Sequence, residues 1–271
     1  MTLSSVVFVG GGNMAGALIG GLVRSGWAPG VVSVIEPDPA RRAALEASFG
    51  VRTLGAADRT LNGIDCVVWA VKPQLFQAAA SPCAAHIAGA LQLSVMAGIR
   101  SDAIVRATGS ERVVRSMPNT PALIGQGIAG LYARPAVSPD ECTAVDRLLA
   151  PTGLTLWVER EEQLDAVTAL SGSGPAYVFY VLEALIEAGV QLGLSAAQAR
   201  QLALATLSGA TSLARDADEP PEVLRQRVTS KGGTTHAAIT ALDADGVKAS
   251  FLRALSAAKR RATELGDEYG R

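Results

Sequence analysis

The chain opens on a strand, a glycine loop and a helix in direct succession, and this succession limits its fold more than any other feature. Ser5-Val6-Val7-Phe8-Val9 is an apolar, β-branched run of strand length. Gly10-Gly11-Gly12-Asn13-Met14-Ala15-Gly16 follows, and residues 17–25 continue as a helix. The spacing is G-x-G-x-x-A, with Gly10, Gly12 and Ala15 at the three small positions. Gly10 permits the tight turn, Gly12 lets a pyrophosphate approach the backbone, and Ala15 lets the helix pack closely on the sheet. Such spacing also occurs in purely structural turns. Here the strand before it and the helix after it supply the context that reads as a dinucleotide site.

Strand and helix patterns then alternate. Residues 31–35 read as a second strand and 39–49 as a helix; residues 65–71 form a nearly continuous apolar run, as in a strand buried on both faces of a parallel sheet. Residues 91–96 and 112–116 read as further strands, and 127–132 and 154–158 as edge strands around a helix at 139–149. The pattern predicts an α/β protein: a doubly wound (Rossmann) sheet domain over residues 1–159, followed by an all-α domain over 160–271.

Ligands of such sheets bind beyond the C-terminal ends of the strands. Ala70-Val71-Lys72-Pro73, Ala97-Gly98 and Met117-Pro118-Asn119-Thr120-Pro121 sit at those ends. Together they mark the rim expected to hold a nicotinamide, although each alone is an ordinary connection. Glu36 ends the second strand, where an acidic side chain bonds a ribose 2′-OH and repels a 2′-phosphate, so it leans to NADH. Arg41 and Arg42 follow on the next helix and are equally suited to grip a phosphate or to face solvent, which leaves NADH and NADPH both open.

From about residue 161 the pattern is wholly helical. Between Ala166 and Ala199 only Glu183 and Glu187 are charged, and a helix that apolar must be covered nearly all round. Packing against a second subunit is the natural solution, a compact monomeric bundle the alternative. Ser171-Gly172-Ser173-Gly174-Pro175 precedes this helix. Pro175 and a capping serine account for a helix start, and the doubled Ser-Gly suggests backbone brought close to a bound group. A helix over residues 195–215 is capped by Ser195, and Pro220-Pro221 starts a short one leading to Ser230-Lys231-Gly232-Gly233-Thr234-Thr235. There two glycines, two hydroxyls and the start of a helix make a pocket suited to a small carboxylate.

Net charge −1, with 18% charged residues, argues against a dedicated nucleic-acid binder. Cys66, Cys83 and Cys142 are widely spaced, and with only His86 and His236 beside them no metal site is expected. Residues 6–9 are too short for a leader, and residues 176–192 are too short and too polar for a membrane span; a cytoplasmic protein is the simplest expectation.

Gly10 to Ala15, Val71-Lys72-Pro73-Gln74, Met117 to Pro121, Ser171 to Tyr177 and Thr229 to Thr235, in this order and across both halves, resemble pyrroline-5-carboxylate reductase. The resemblance implies reduction of the C=N bond of 1-pyrroline-5-carboxylate to L-proline by NADPH or NADH, the last step of proline biosynthesis, with the family usually using NADP. It implies a helical dimerisation domain and dimers assembled into a larger ring. Carried over by position, Gly10, Gly12, Asn13, Met14 and Ala15 hold the pyrophosphate, and Lys72, Pro73, Ala97 and Gly98 line the nicotinamide side. Gly232, Gly233, Thr234 and Thr235 receive the substrate carboxylate together with Ser171, and Thr235 lies nearest the ring nitrogen. Two departures are Lys231, where the family often has proline, and Ala57, where an asparagine commonly sits near the adenosine.

A protonated imine is already electrophilic, so the protein's task is mainly orientation. This suits a chain with no evident acid–base or metal constellation. A hydroxyacid dehydrogenase, by family resemblance, relies on a lysine in the helix after its glycine motif; Gly174 to Gln191 contains neither lysine nor arginine. A non-catalytic nucleotide sensor would leave the Gly-Gly-Thr-Thr loop unexplained.

Overall fold

A computed structural model describes residues 3–270; residues 1, 2 and 271, which the expected domain limits include, lie outside the described residues. β1 (Val6–Val9) feeds through the glycine loop into α1 (Asn13–Arg24), followed by β2 (Val32–Ile35), α2 (Pro39–Phe49) and β3 (Arg52–Leu54). β4 (Cys66–Trp69), α3 (Phe76–Ala80), α4 (Ala84–Ile87), β5 (Leu91–Ser94), α5 (Ser101–Thr108) and β6 (Val113–Met117) continue the pattern. β7 (Gly127–Ala133), α6 (Pro139–Leu149) and β8 (Gly153–Trp157) complete it.

The strand order is β3-β2-β1-β4-β5-β6-β7-β8, parallel throughout except between β6 and β7. The expected Rossmann sheet is therefore present, with the winding reversing between β1 and β4. Val9 lies level with Ile35 and Trp69, so the loops after β1, β2 and β4 share one rim.

Every residue of β1, β4 and β5 is buried, which is why β1 and β4 read as unbroken apolar runs, while β5 buries the polar Gln92 and Ser94 as well. Alternate residues supply opposite faces. Val6 and Phe8 pack with Leu18, Ile19 and Leu22 of α1, while Val7 and Val9 pack with Phe76, Ile87 and Ile104. Trp69 meets Phe76 edge to face, ring centroids 5.2 Å apart, and gives its indole N–H to buried Gln92 at 2.9 Å. Local signals start the helices where expected: the Asp38 carboxylate accepts from the Ala40 amide ahead of α2, and Ser138 and Glu141 form a reciprocal cap on α6.

The helical part comprises α7 (Gln163–Val167), a π-turn over Thr168–Gly172, α8 (Gly174–Gln191), α9 (Ala196–Asp216), α10 (Pro221–Arg227), α11 (Thr234–Ala244) and α12 (Val247–Tyr269). The compact units divide after Pro175 rather than at the expected 159/160, and the chain rejoins the first unit from Ala257. The switch to helix does not end the sheet domain because the segment after β8 is tied to it. Glu161 pairs with Arg115 at 2.8 Å, and Val167 packs so closely on Gly130 that a Cβ there would stand 2.6 Å from it.

In the second unit, Ala176–Ser256, the described residues that are buried are Ala199 and Ala203 alone. Phe179, Tyr180 and Leu213 are 59%, 73% and 73% exposed. Such a unit has almost no core of its own, and its apolar side chains require a covering surface. The helical stretch Gln163–Gln191, 29 residues, is by length and composition long and apolar enough to cross a membrane, more than the sequence limits of 176–192 suggested.

Candidate active site

The rim after β1, β2, β4 and β5 encloses a groove of about 870 Å³ in the first unit. Gly10, Gly12, Asn13 and Met14 line it. Gly10 has φ +97°, and a Cβ on it would stand 2.8 Å from the Ala70 carbonyl oxygen, so only glycine fits. Gly12 is the N-cap of α1 and has no side-chain cap; a Cβ on it would meet nothing nearer than Arg41 Nη1 at 3.8 Å. The amides of the first turn of α1 thus face open space, as a pyrophosphate requires. These residues fit a dinucleotide. Ala15 is fully buried against the sheet and serves helix packing rather than the groove wall.

Glu36 lines the groove at the end of β2. Its carboxylate accepts from the Gly11 amide at 2.9 Å and the Asp38 amide at 3.0 Å. The arginine pair separates. Arg41 lines the groove, whereas Arg42 donates to the Glu36 and Pro37 carbonyls at 2.9 Å each. Ala57, at the position where relatives often have asparagine, also lines it. Lys72 and Ala97 also line the groove, whereas Pro73, which begins a short turn, and Gly98 are not among its lining residues. Cys83 also lines it, but burial pushes its thiol up to about 11, so it stays protonated at neutral pH.

The Gly-Gly-Thr-Thr segment lies in the second unit. α11 starts at Thr234 with Gly233 as N-cap, no side-chain cap and no acidic residue in the first turn. Gly233 packs against Ser230, where a Cβ would stand 2.5 Å from the hydroxyl oxygen. Several helical threonines spend their hydroxyls on a carbonyl one turn back, as Thr240 does on His236 at 2.8 Å. Among the described residues the hydroxyls of Thr234 and Thr235 have no such partner. Bare amides, two available hydroxyls and the positive end of a helix suit a carboxylate.

Ser171 belongs to the first unit, inside the π-turn. Its hydroxyl donates to the Val167 carbonyl at 3.0 Å, and its own carbonyl accepts from Asn119 at 3.2 Å. Asn119 also takes the Ile128 amide at 3.0 Å, so the Met-Pro-Asn-Thr-Pro stretch holds the Ser-Gly turn in place. Gly172 leaves room for Met117, which a Cβ would approach to 2.7 Å. The π-turn carries no sequence signal of its own.

Comparison with known proteins bears on both halves. The family described as pyrroline-5-carboxylate reductase dimerisation matches residues 161–265, and one described as NADP oxidoreductase coenzyme F420-dependent matches residues 5–98. The pyrroline-5-carboxylate reductase of Pseudomonas aeruginosa is 40% identical over 272 aligned residues, covering 100% of both chains. That of Synechocystis is 36% identical, covering 95% of this chain and 97% of its own. Among solved structures, the reductase of Coxiella burnetii superposes with TM-score 0.91 at 35% identity over 97% of this chain and 99% of that one. The Plasmodium falciparum pyrroline carboxylate reductase with NADP bound superposes with TM-score 0.87 at 26% identity over 98% and 99%. The dimerisation match covers the exposed apolar helix α8 and supports homo-oligomerisation through the helical part. With relatives matched end to end and the dimerisation family matched over its helical half, this oxidoreductase belongs to the pyrroline-5-carboxylate reductase family.

Proposed function

We propose that this chain reduces 1-pyrroline-5-carboxylate to L-proline through two half-sites with distinct tasks. Gly10, Gly12, Asn13 and Met14 hold the pyrophosphate on the N-terminus of α1, while Lys72, Pro73, Ala97 and Gly98 bound the nicotinamide side. When bound, the reduced nicotinamide supplies the hydride for the imine carbon. Gly232, Gly233, Thr234 and Thr235 receive the substrate carboxylate on the amides that open α11. The Thr235 hydroxyl hydrogen-bonds near the ring nitrogen, and Ser171 is a further substrate-binding residue. Binding and orientation carry the catalysis, since a protonated imine needs no added electrophile.

The observation that carries this reading is the pair of available threonine hydroxyls beside uncapped amides at the start of α11. For the cofactor we propose a preference for NADH. The Glu36 carboxylate stands in the groove where a 2′-phosphate would lie, and Arg42 is spent on backbone carbonyls. Arg41 is the side chain left to accommodate NADPH as the weaker alternative. The same reading makes the protein a cytoplasmic homodimer, its dimers joined in a larger ring.

The test follows 340 nm absorbance with 1-pyrroline-5-carboxylate and either NADH or NADPH. Turnover with a larger specificity constant for NADH is expected. Cofactor binding without oxidation of either would overturn the reaction, and a larger constant for NADPH would overturn the preference.

A further inference from the structure

The loop after β5 does not hold itself in place. Val95 and Met96 each donate one hydrogen bond, to Trp69 O at 3.0 Å and Ser94 Oγ at 3.2 Å, but the amides of Ala97 and Gly98 donate to no group among the described residues. The loop is positioned from outside by the end of α12, within the first unit. The Leu265 carbonyl oxygen lies 3.2 Å from where a Cβ on Gly98 would stand, so helix backbone packs directly on the loop. Arg100 fills the space beside Gly266, where a Cβ would come within 2.6 Å of its guanidinium. That guanidinium pairs with Asp165 at 3.1 Å, and Asp165 accepts from the Thr263 hydroxyl at 2.9 Å. The same helix end reaches the other rim segment: Gln74, next to Lys72-Pro73, donates to the Tyr269 hydroxyl at 3.4 Å.

We propose that residues 263–270 act as a brace that fixes rim segments 72–74 and 97–98 at the separation the nicotinamide needs. Arg100, Asp165 and Thr263 are its positioning residues. This rests on the assignment of that rim to the nicotinamide. The brace explains why small residues recur where helix and loop meet. Gly98 and Gly266 leave no gap, and the Arg100 side of the Arg100–Asp165 ion pair packs on Gly266. A displaced rim loop would still bind the adenosine half of the cofactor but would misplace its reactive end, and small misplacements are costly in turnover.

The test compares the full-length parent with Thr263→Val, Gly266→Ala and Tyr269→Phe, with Thr263→Ser as the conservative rescue. Amide hydrogen exchange over residues 95–101 is measured without substrate, alongside cofactor affinity, thermal midpoint, kcat and KM. Exchange in that segment is expected to rise about tenfold in Thr263→Val and Gly266→Ala, with residues 10–16 unchanged. Turnover is expected to fall about five- to tenfold at nearly constant cofactor affinity and imine KM, and to return in Thr263→Ser. Unchanged exchange over 95–101 would overturn the brace, as would faster exchange with undiminished kcat. Should Gly266→Ala fail to fold, Thr263→Val and Tyr269→Phe decide, because they remove only hydrogen bonds. A parent protein inactive on the imine would sink the assigned reaction instead, and the exchange measurement, which needs no turnover, would still decide the brace.

Discussion

The Glu36 carboxylate accepts the Gly11 amide at 2.9 Å, which ties the acidic end of β2 to the middle of the glycine loop. One side chain thus shapes the glycine loop and carries a negative charge into the groove. Glu36→Gln keeps a carbonyl acceptor for Gly11 and removes the negative charge. The ratio of specificity constants for NADH over NADPH should fall about tenfold, equivalent to about 1.4 kcal/mol. An unchanged ratio would remove Glu36 as the determinant.

Arg41 and Arg42 are adjacent in sequence but separated by function. Arg41→Ala should weaken NADPH by about tenfold and leave NADH within twofold, because it deletes a cation in the groove. Arg42→Ala should do the opposite: little change in cofactor choice, but a lower thermal midpoint through two lost bonds to the Glu36 and Pro37 carbonyls. Isothermal titration with each cofactor and a thermal melt separate the two outcomes.

This separation illustrates what sequence could and could not carry. The glycine loop was legible because its chemistry demands residue types at fixed spacing, and β1 and β4 because burial on both faces leaves unbroken apolar runs. β3 was not legible: Arg52-Thr53-Leu54 is short and holds one apolar residue, and its strand character comes from pairing with β2. Which arginine faces the groove depends on rotation about α2, which composition does not record. Ser101 and Glu161, hydrogen-bonded through both amide and hydroxyl, lie 60 residues apart and leave no local pattern.

Thr234 and Thr235 offer a comparison at the other half-site. Thr235, half-buried at the start of α11, should matter more than exposed Thr234. Thr235→Ala is expected to raise KM for the imine about tenfold or more, while Thr234→Ala raises it less and neither changes cofactor affinity. Steady-state kinetics at saturating cofactor check this. Equal, negligible effects from both would take the hydroxyls out of the site.

The exposed apolar surface of α8 sets the association behaviour. Phe179→Asp places a charge on an exposed apolar surface within the stretch matched by the dimerisation family, and burying an unpaired charge there is strongly unfavourable. Sedimentation should show the mass falling to that of a single chain, with a loss of thermal stability, since the second unit has almost no core of its own. Retention of the full assembly would place the interface elsewhere.

Acid should weaken the fold at Glu161, which ties the segment after β8 to Ser101 and to Arg115 of β6. Burial opposes ionisation of Glu161, but the Ser101 hydroxyl and amide and the Arg115 guanidinium outweigh it, and the carboxyl titrates below its usual 4.5. A folded-state value below the unfolded one means that Glu161 stabilises the fold above about pH 4.5, and that this contribution is lost as pH falls through the lower, folded value. Below pH 4.5 the thermal midpoint should therefore drop. Glu161→Gln should start from a lower midpoint at pH 7 and lose less on acidification. Parallel pH profiles for the two proteins would show that other carboxylates carry the acid response and that Glu161 contributes none of it.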